Sequence, residues 1–488
     1  MDSKNFFNPY NFVSTPKRDL NHPVLGDAAP LGHSRLEEGT FSGKLVIKMV
    51  AETPILIPSS DVAVEEISKP HSKETISHRS RKTRTIDGAA DSAGKKLEPF
   101  VAIPSSSVKG MVRSAYEMIT NSRFSVFAGH DERLGMRVKT GRTLHPKSPL
   151  EVLDPTLRPA EGFDSFSSAE RIFGWASDGT GSVASNRSAY AGHLRFSRVC
   201  CKTKDPIEKL DGGRILAILN SPKPTMARFY AGIWHENGET YFEPKTSKAK
   251  ALYDGKSALR GRKVYPHHGS FDSSSTKWRS PAKENVNQSI LDWIKPKTEF
   301  EFSIQFRNIT AAELGGLIAS IQTIEGQCHR LGGGRPLGFG AVSLTVDFDQ
   351  SKISTQQSLR QSWESCEIAK FLLAEDLQKL ETEFRESVKS EPFYKTFVSY
   401  LDGYANAEGI QVMYPRSSAD SKNPKAILEW FVANELSENG HSLPQIGAAQ
   451  KNSLPFISPP PKRDNRGGNN TRGGHGGGGG GGGGRPRR

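Results

Sequence analysis

The chain of 488 residues carries only four cysteines, Cys200, Cys201, Cys328 and Cys366, and no two of them stand at CxxC spacing. Neither a zinc ribbon nor a disulfide framework is implied, and a reducing cytoplasm is the expected location. No apolar run approaches the roughly 18 residues of a membrane span, so no membrane partner is expected, and the opening MDSKNFFNPY does not read as a signal peptide. Acidic residues are in deficit as well. Against 66 Lys and Arg stand 53 Asp and Glu, a net charge of +13, and that imbalance points to a polyanionic ligand more than to an acidic small molecule. Part of the excess is local: from Lys462 onward there are seven basic residues and one Asp, which leaves the body of the chain mildly basic.

Hydrophobic periodicity organises that body. Lys44 to Val50 alternates with Leu45, Ile47 and Met49 on one face, as a half-buried strand does. After Ser105, Ser106 and Ser107, any of which can cap a helix, Val108, Met111, Val112, Ala115, Met118 and Ile119 recur at helical spacing. His193 to Val199 reads as a short strand, and Glu299 to Arg307 as a longer one with Phe300, Phe302, Ile304 and Phe306 together. Thr310 and Glu313 form a capping box ahead of the stripe Leu314, Leu317, Ile318 and Ile321, and a last strand follows from Ala341 to Phe348. The order βαββαβ predicts an α+β fold with a ferredoxin-like or RRM-like domain.

The expected organisation is an N-terminal extension over residues 1–42, the ferredoxin-like domain over 43–349, a mainly helical region over 350–457, and a disordered Gly/Arg-rich tail over 458–488. Three insertions interrupt the domain, at 58–97, 122–191 and 202–298, each far longer than an ordinary loop. The first is basic and poor in apolar residues, with eight Lys/Arg against three acids between Lys69 and Lys96, and is expected to order on a partner. In the tail, Arg466 and Arg472 open Arg-Gly-Gly repeats that suit weak binding of single-stranded nucleic acid; a merely solubilising tail is the alternative.

The most telling segment is CHRLGGGRPLGFGAV, Cys328 to Val342, in which five glycines surround Arg330 and Arg335. Glycines at 332, 333, 334, 338 and 340 let backbone N–H groups approach a phosphate, and the arginines add charged donors. The order helix, loop, strand fits neither the Walker pattern nor the dinucleotide fingerprint. A plain helix-to-strand turn is the competing reading.

Three passages carry a family resemblance. Ile103 to Arg113, IPSSSVKGMVR, resembles the IPGSSLKGxxR segment of the RAMP superfamily of CRISPR proteins. Phe166 to Gly174 with Ala191 to Phe196 resembles the superfamily's ERLFG and GRVRF passage, and Leu331 to Gly340 its glycine-rich loop. Asn8 to Val13, Thr53-Pro54, Ser221 to Thr225, Gly261 to His268 and Phe306 to Thr310 resemble an insertion-bearing subfamily of type III loci. One departure stands out: Ser105 replaces the first glycine of IPGSS.

The resemblance implies a guide-RNA-binding backbone subunit of a type III antiviral ribonucleoprotein, with CRISPR guide RNA, single-stranded target RNA and the other RAMP-family and large subunits as partners. Its RNA-binding candidates are Ser105, Ser106, Ser107, Lys109 and Arg113 of the helix start, together with the arginines and glycines of the loop. Serine hydroxyls and free N–H groups at a helix start suit an anion, and Lys109 and Arg113 stand one turn apart. If the subunit cleaves target RNA with Mg²⁺, Asp87 is the candidate carboxylate, with Asp91 and Asp61 as alternatives. His267 and His268 lack a carboxylate at matching spacing, so no resident metal or tightly bound cofactor is expected. A stand-alone endoribonuclease processing CRISPR transcripts, or a general RNA-binding protein, is the alternative function.

Overall fold

The fold is seen in a computed structural model, described over residues 5–68, 75–86, 100–125, 127, 135–138, 141–144, 146–177, 188–217, 219, 224–236, 238–275, 278–279, 289–404, 411–417, 426–436, 440–449 and 453–457. Alternation turns Leu45, Ile47 and Met49 of β1 (Thr40–Ala51) into the core and leaves Lys48 exposed. Helix α1 (Ser105–Ile119) lays Val108, Val112 and Tyr116 over them. Strand β2 is short (Leu194–Phe196), and β3 (Glu299–Thr310) contributes Phe300, Phe302, Ile304 and Phe306. Helix α2 (Ala311–Ile321) begins with the expected capping box: the Glu313 N–H donates to Thr310 Oγ1 at 3.2 Å, and the Thr310 N–H donates to the Glu313 carboxylate at 3.0 Å. Strand β4 (Ala341–Thr355) runs on beyond Phe348 through a register shift between Asp347 and Lys352.

In the sheet the order is β2, β3, β1, β4, every neighbouring pair is antiparallel, and both helices pack on the same apolar face. Two short strands extend it, His329–Arg330 beside β4 and Cys200–Cys201 beside β3. The architecture is mixed α+β, as expected.

Two expectations need correction. The three serines do not cap α1: Pro104 occupies the cap position without a side-chain bond, the serines fill the first turn, and the Ser105 hydroxyl donates to the Ser197 carbonyl at 2.8 Å. Ser105 has no positive φ, so its replacement of glycine carries no strain. Nor is the first insertion without structure of its own. Pro58–Ser68 and Thr75–Thr83 pair as a hairpin inside a second sheet, whose order is Ile207–Ile215, Ser289–Ile294, Thr75–Thr83, Pro58–Ser68. Strand 289–294 supplies the ladder partner, so backbone pairing can order a polar segment that has little apolar surface to bury.

The N-terminal extension is woven into the body. Asn5–Phe7 pairs with Gln411–Val412 and Leu454–Pro455, and Asn11–Val13 pairs with Arg262–Val264. Helices Gln356–Ser365, Ala374–Val388, Pro392–Asp402 and Ala426–Leu436 populate the C-terminal region. Ala374–Val388 lies so close to α2 that a Cβ on Gly315 would meet the Leu380 carbonyl at 2.3 Å. No helix among the described residues is long and apolar enough to cross a membrane. The tail, with Arg466 and Arg472, lies outside the described residues.

Candidate nucleic-acid interface

The glycine loop is shaped by its own backbone. Gly332, Gly334, Gly338 and Gly340 all have positive φ, between 65° and 96°, which L side chains rarely adopt. The Gly333 N–H donates to the Leu56 carbonyl at 2.9 Å and the Gly340 N–H to the Pro54 carbonyl at 2.8 Å, so the loop is fastened along residues 53–56. The Gly338 N–H donates to the Arg335 carbonyl at 3.2 Å. This corrects the expectation that the glycines free their amides for a phosphate: at these three positions the amides already serve the protein. What the turn presents outward is Arg335, exposed, and the exposed surface of Gly333.

Beside the turn runs a groove of about 540 Å³. Ser107, Gly110 and Ser114 of α1 form one wall, residues 330–333 with Arg335 form another, and Lys263 and Tyr265 a third. Arg84 and Pro58 lie at the edge. Four cations line it, Arg84, Lys263, Arg330 and Arg335, and no Asp or Glu does. Ser107 and four residues of the loop, Arg330, Gly332, Gly333 and Arg335, thus line one groove.

Arg330 is the unusual member. It is 4 % exposed, and of its guanidinium only Nη2 has a partner, the Arg335 carbonyl at 2.6 Å; Nε and Nη1 have none. Burial pulls this guanidinium down to about 10, which leaves it charged at neutral pH. Burying a cation with two unsatisfied donors is costly, and an anion entering the groove offsets that cost.

Other expected residues go elsewhere. Lys109 and Arg113 lie on a different edge of α1 from Ser107, Gly110 and Ser114: Arg113 Nε donates to Glu117 at 2.9 Å and Nη1 to the Gly174 carbonyl at 3.2 Å. Burial, then Arg113 and Arg195 nearby, lowers the Lys109 ammonium. The Glu170-Arg171 pair of the ERLFG-like passage is structural. Glu170 accepts the Ser167 N–H at 2.8 Å, and Arg171 pairs with Glu313 at 2.7 Å, tying Ser168–Phe173 to α2. His267 bonds the Leu401 carbonyl at 2.9 Å and accepts the Gly269 N–H at 3.1 Å. Burial pulls His267 down to about 4 and His268 to about 3, so both stay neutral.

Asp87 and Asp91 lie outside the described residues, while Asp61 falls within strand Pro58–Ser68. The chain on either side of Asp87 and Asp91 is fixed, because Thr85–Ile86 pairs with Phe100–Val101. Among the described residues no three His, Cys, Asp or Glu side chains gather to hold a metal ion.

Lys263, Tyr265 and Arg84 were not among the expected site residues. Alternation gave the signal for the first two: in Arg262-Lys263-Val264-Tyr265 the first and third are buried, which turns Lys263 and Tyr265 to the same side.

The groove is thus basic, free of carboxylates in its lining, and centred on an arginine with two unpaired donors. A family model described as the RAMP superfamily matches residues 93–343, just over half of the chain, and the chain belongs to that superfamily. No curated protein sequence matches it significantly. Among solved structures it is similar to a chain of a type IV-B CRISPR complex, at 13% identity and TM-score 0.28 over 62% of this chain and 90% of that one. It is also similar to Csc2 of Thermofilum pendens, at 14% identity and TM-score 0.29 over 80% and 96%.

Proposed function

We propose that the chain is an RNA-binding subunit of a CRISPR ribonucleoprotein, of the backbone type found in type III complexes, and that the groove between α1 and the glycine loop holds the phosphate backbone of guide RNA. The observation that carries this reading is Arg330, buried in a carboxylate-free groove with two donors unpaired. A phosphodiester supplies the acceptors they lack, and the exposed Arg84 and Arg335 extend the positive track. Partners in this reading are guide RNA, target RNA and neighbouring subunits.

A stand-alone processing ribonuclease is less well supported, because it needs a histidine as general acid or base. His329, the histidine that lines the groove, is 1 % exposed, bonds the Ile321 carbonyl at 3.2 Å and is pulled down to about 4 by burial. Target cleavage, in the proposed reading, falls to Asp87. Identical products from reconstituted complexes carrying wild type, Asp87→Ala, Asp91→Ala and Asp61→Ala would remove that assignment.

The test of the main proposal is binding of single-stranded RNA to the purified chain across a salt series. Affinity that falls steeply with salt supports it. Absence of binding at low salt would refute it.

A further inference from the structure

Lys263, in the wall of the groove, is backed by aromatic rings brought from distant parts of the chain. Lys263 Nζ sits 4.0 Å from the ring centroid of Tyr10 and 5.6 Å from those of Tyr230 and Tyr265. On the same Tyr265 ring rests Arg335, its Cζ 5.3 Å from the centroid. Pairing of Arg262–Val264 with Asn11–Val13 sets Lys263 opposite Phe12 and so delivers Tyr10 to the cage. Lys263 has no carboxylate partner among the described residues; rings hold its ammonium in place but leave its charge uncompensated.

We propose that Lys263 and Arg335, both resting against Tyr265, form a subsite for successive backbone phosphates of single-stranded RNA, and that protonation of Lys263 sets its occupancy. This rests on the RNA-binding reading of the groove. A polyanion is favoured over a single carboxylate because Lys263, Arg335 and the unsatisfied Arg330 line one groove, and a strand with a charge on every nucleotide can meet them in turn.

The pH dependence can be assigned to Lys263. Burial among the rings lowers its ammonium to about 8. Burial raises the phenols of Tyr10 and Tyr265 and holds Tyr400 at about 12, so these stay neutral below pH 9. His329, down at about 4, is neutral, and Arg330, at about 10, remains mostly charged. Between pH 7 and 9 the free protein therefore loses Lys263 charge, and a phosphate that needs that charge binds progressively less.

The experiment is fluorescence anisotropy with a labelled oligouridylate, pH 6.5 to 9.5 at fixed ionic strength, using the full-length chain as wild type, Lys263→Arg and Lys263→Met. With a free-protein value of about 8, wild-type affinity is expected to fall by up to about tenfold from pH 7 to pH 9. Lys263→Arg is expected to keep the neutral-pH affinity and flatten the profile, and Lys263→Met to bind weakly at every pH. Melting curves verify that each variant folds, and the arginine variant keeps the test usable if the methionine variant does not. RNA binding that is salt-sensitive yet equally pH-dependent in all three proteins would overturn the subsite and leave the groove reading standing. No RNA binding by any of them would overturn both. Competition by polyglutamate as effective as that by inorganic tripolyphosphate would overturn the phosphate assignment in favour of an acidic protein segment.

Discussion

Replacing Arg84 and Arg335 together by alanine removes the two exposed cations of the groove and leaves the buried Arg330 and half-buried Lys263 in place. Neither substitution opens a core cavity. The arginine at 335 gives up its contact with the Tyr265 ring, worth about 0.5–1 kcal/mol at an exposed site. The effect on RNA is larger. Each phosphate neutralised on a single strand contributes about 0.7 to the slope of log affinity against log salt, so four groove cations give a slope near 2.8 and two give about 1.4. Between 50 and 200 mM salt, wild type is therefore expected to lose about 50-fold in affinity and the double variant only about 7-fold. The assay is filter binding or anisotropy with an oligouridylate at four or five salt concentrations, with melting curves as a folding control. A double variant with the wild-type slope, or one that loses affinity equally at all salt concentrations, would show that the groove cations do not meet phosphates.

Further outcomes follow from the surrounding structure. Gly340→Ala forces φ near +79° and a Cβ 2.0 Å from the Leu331 carbonyl, and Gly332→Ala brings a Cβ 2.4 Å from that of Leu56; each is expected to destabilise by more than about 1 kcal/mol, whereas Gly333→Ala, with ordinary φ and its Cβ no closer than 3.8 Å to Leu56, is tolerated, as thermal melts will show. Arg171→Ala breaks a largely buried pair with Glu313 and two bonds to carbonyls, so a loss of about 3–5 kcal/mol is expected in urea unfolding. His267, His268 and His329 are depressed to about 4, 3 and 4, below their unfolded value of about 6.5, so the unfolded chain binds more protons. Their contribution is intact above pH 6.5 and falls as pH drops toward 4, by up to about 1.4 kcal/mol per unit for each; urea titrations at pH 7 and 5 that gave equal stability would contradict this.

Periodicity of apolar residues carried the core well. Leu45, Ile47 and Met49, the phenylalanines of β3, and the stripe of α2 behind its capping box all lie where alternation or helical spacing put them, because each signal is local. Long-range pairing was not readable in the same way. Thr75–Thr83 pairs along its length with the neighbouring Pro58–Ser68, but its other edge is met by Ser289–Ile294, two hundred residues on, and nothing in its own composition announces that partner. The site divides likewise. Lys109 and Arg113 share an edge of α1, but at about 100° per residue that edge is not the one carrying Ser107, Gly110 and Ser114. Tyr10, Tyr230 and Lys263 become neighbours only through the pairing of Asn11–Val13 with Arg262–Val264 and the packing of the helix at Ala227–Tyr230.

The outer face of the sheet supplies the contrasting prediction. An RRM-like sheet grips bases with aromatic rings on its open face. Here the strands turn Lys44, Lys48, Arg195, Glu301, Gln305, Thr345, Asp347 and Lys352 to the face opposite the helices, brought side by side by the registers of β1, β2, β3 and β4; none of these side chains is aromatic, and the Phe371 ring lies 5.3 Å from Lys352 Nζ. Lys48 is already neutralised by Asp347 at 2.7 Å. With no aromatic side chain on the strands themselves, Lys48 paired and Lys352 set against the Phe371 ring, this face offers RNA little of the stacking that grips a single strand. Lys44→Ala with Lys48→Ala is therefore expected to shift the salt slope for an oligouridylate by less than about 0.7, the share of one phosphate. A loss equal to that of the Arg84 and Arg335 double variant would place RNA on the sheet rather than in the groove.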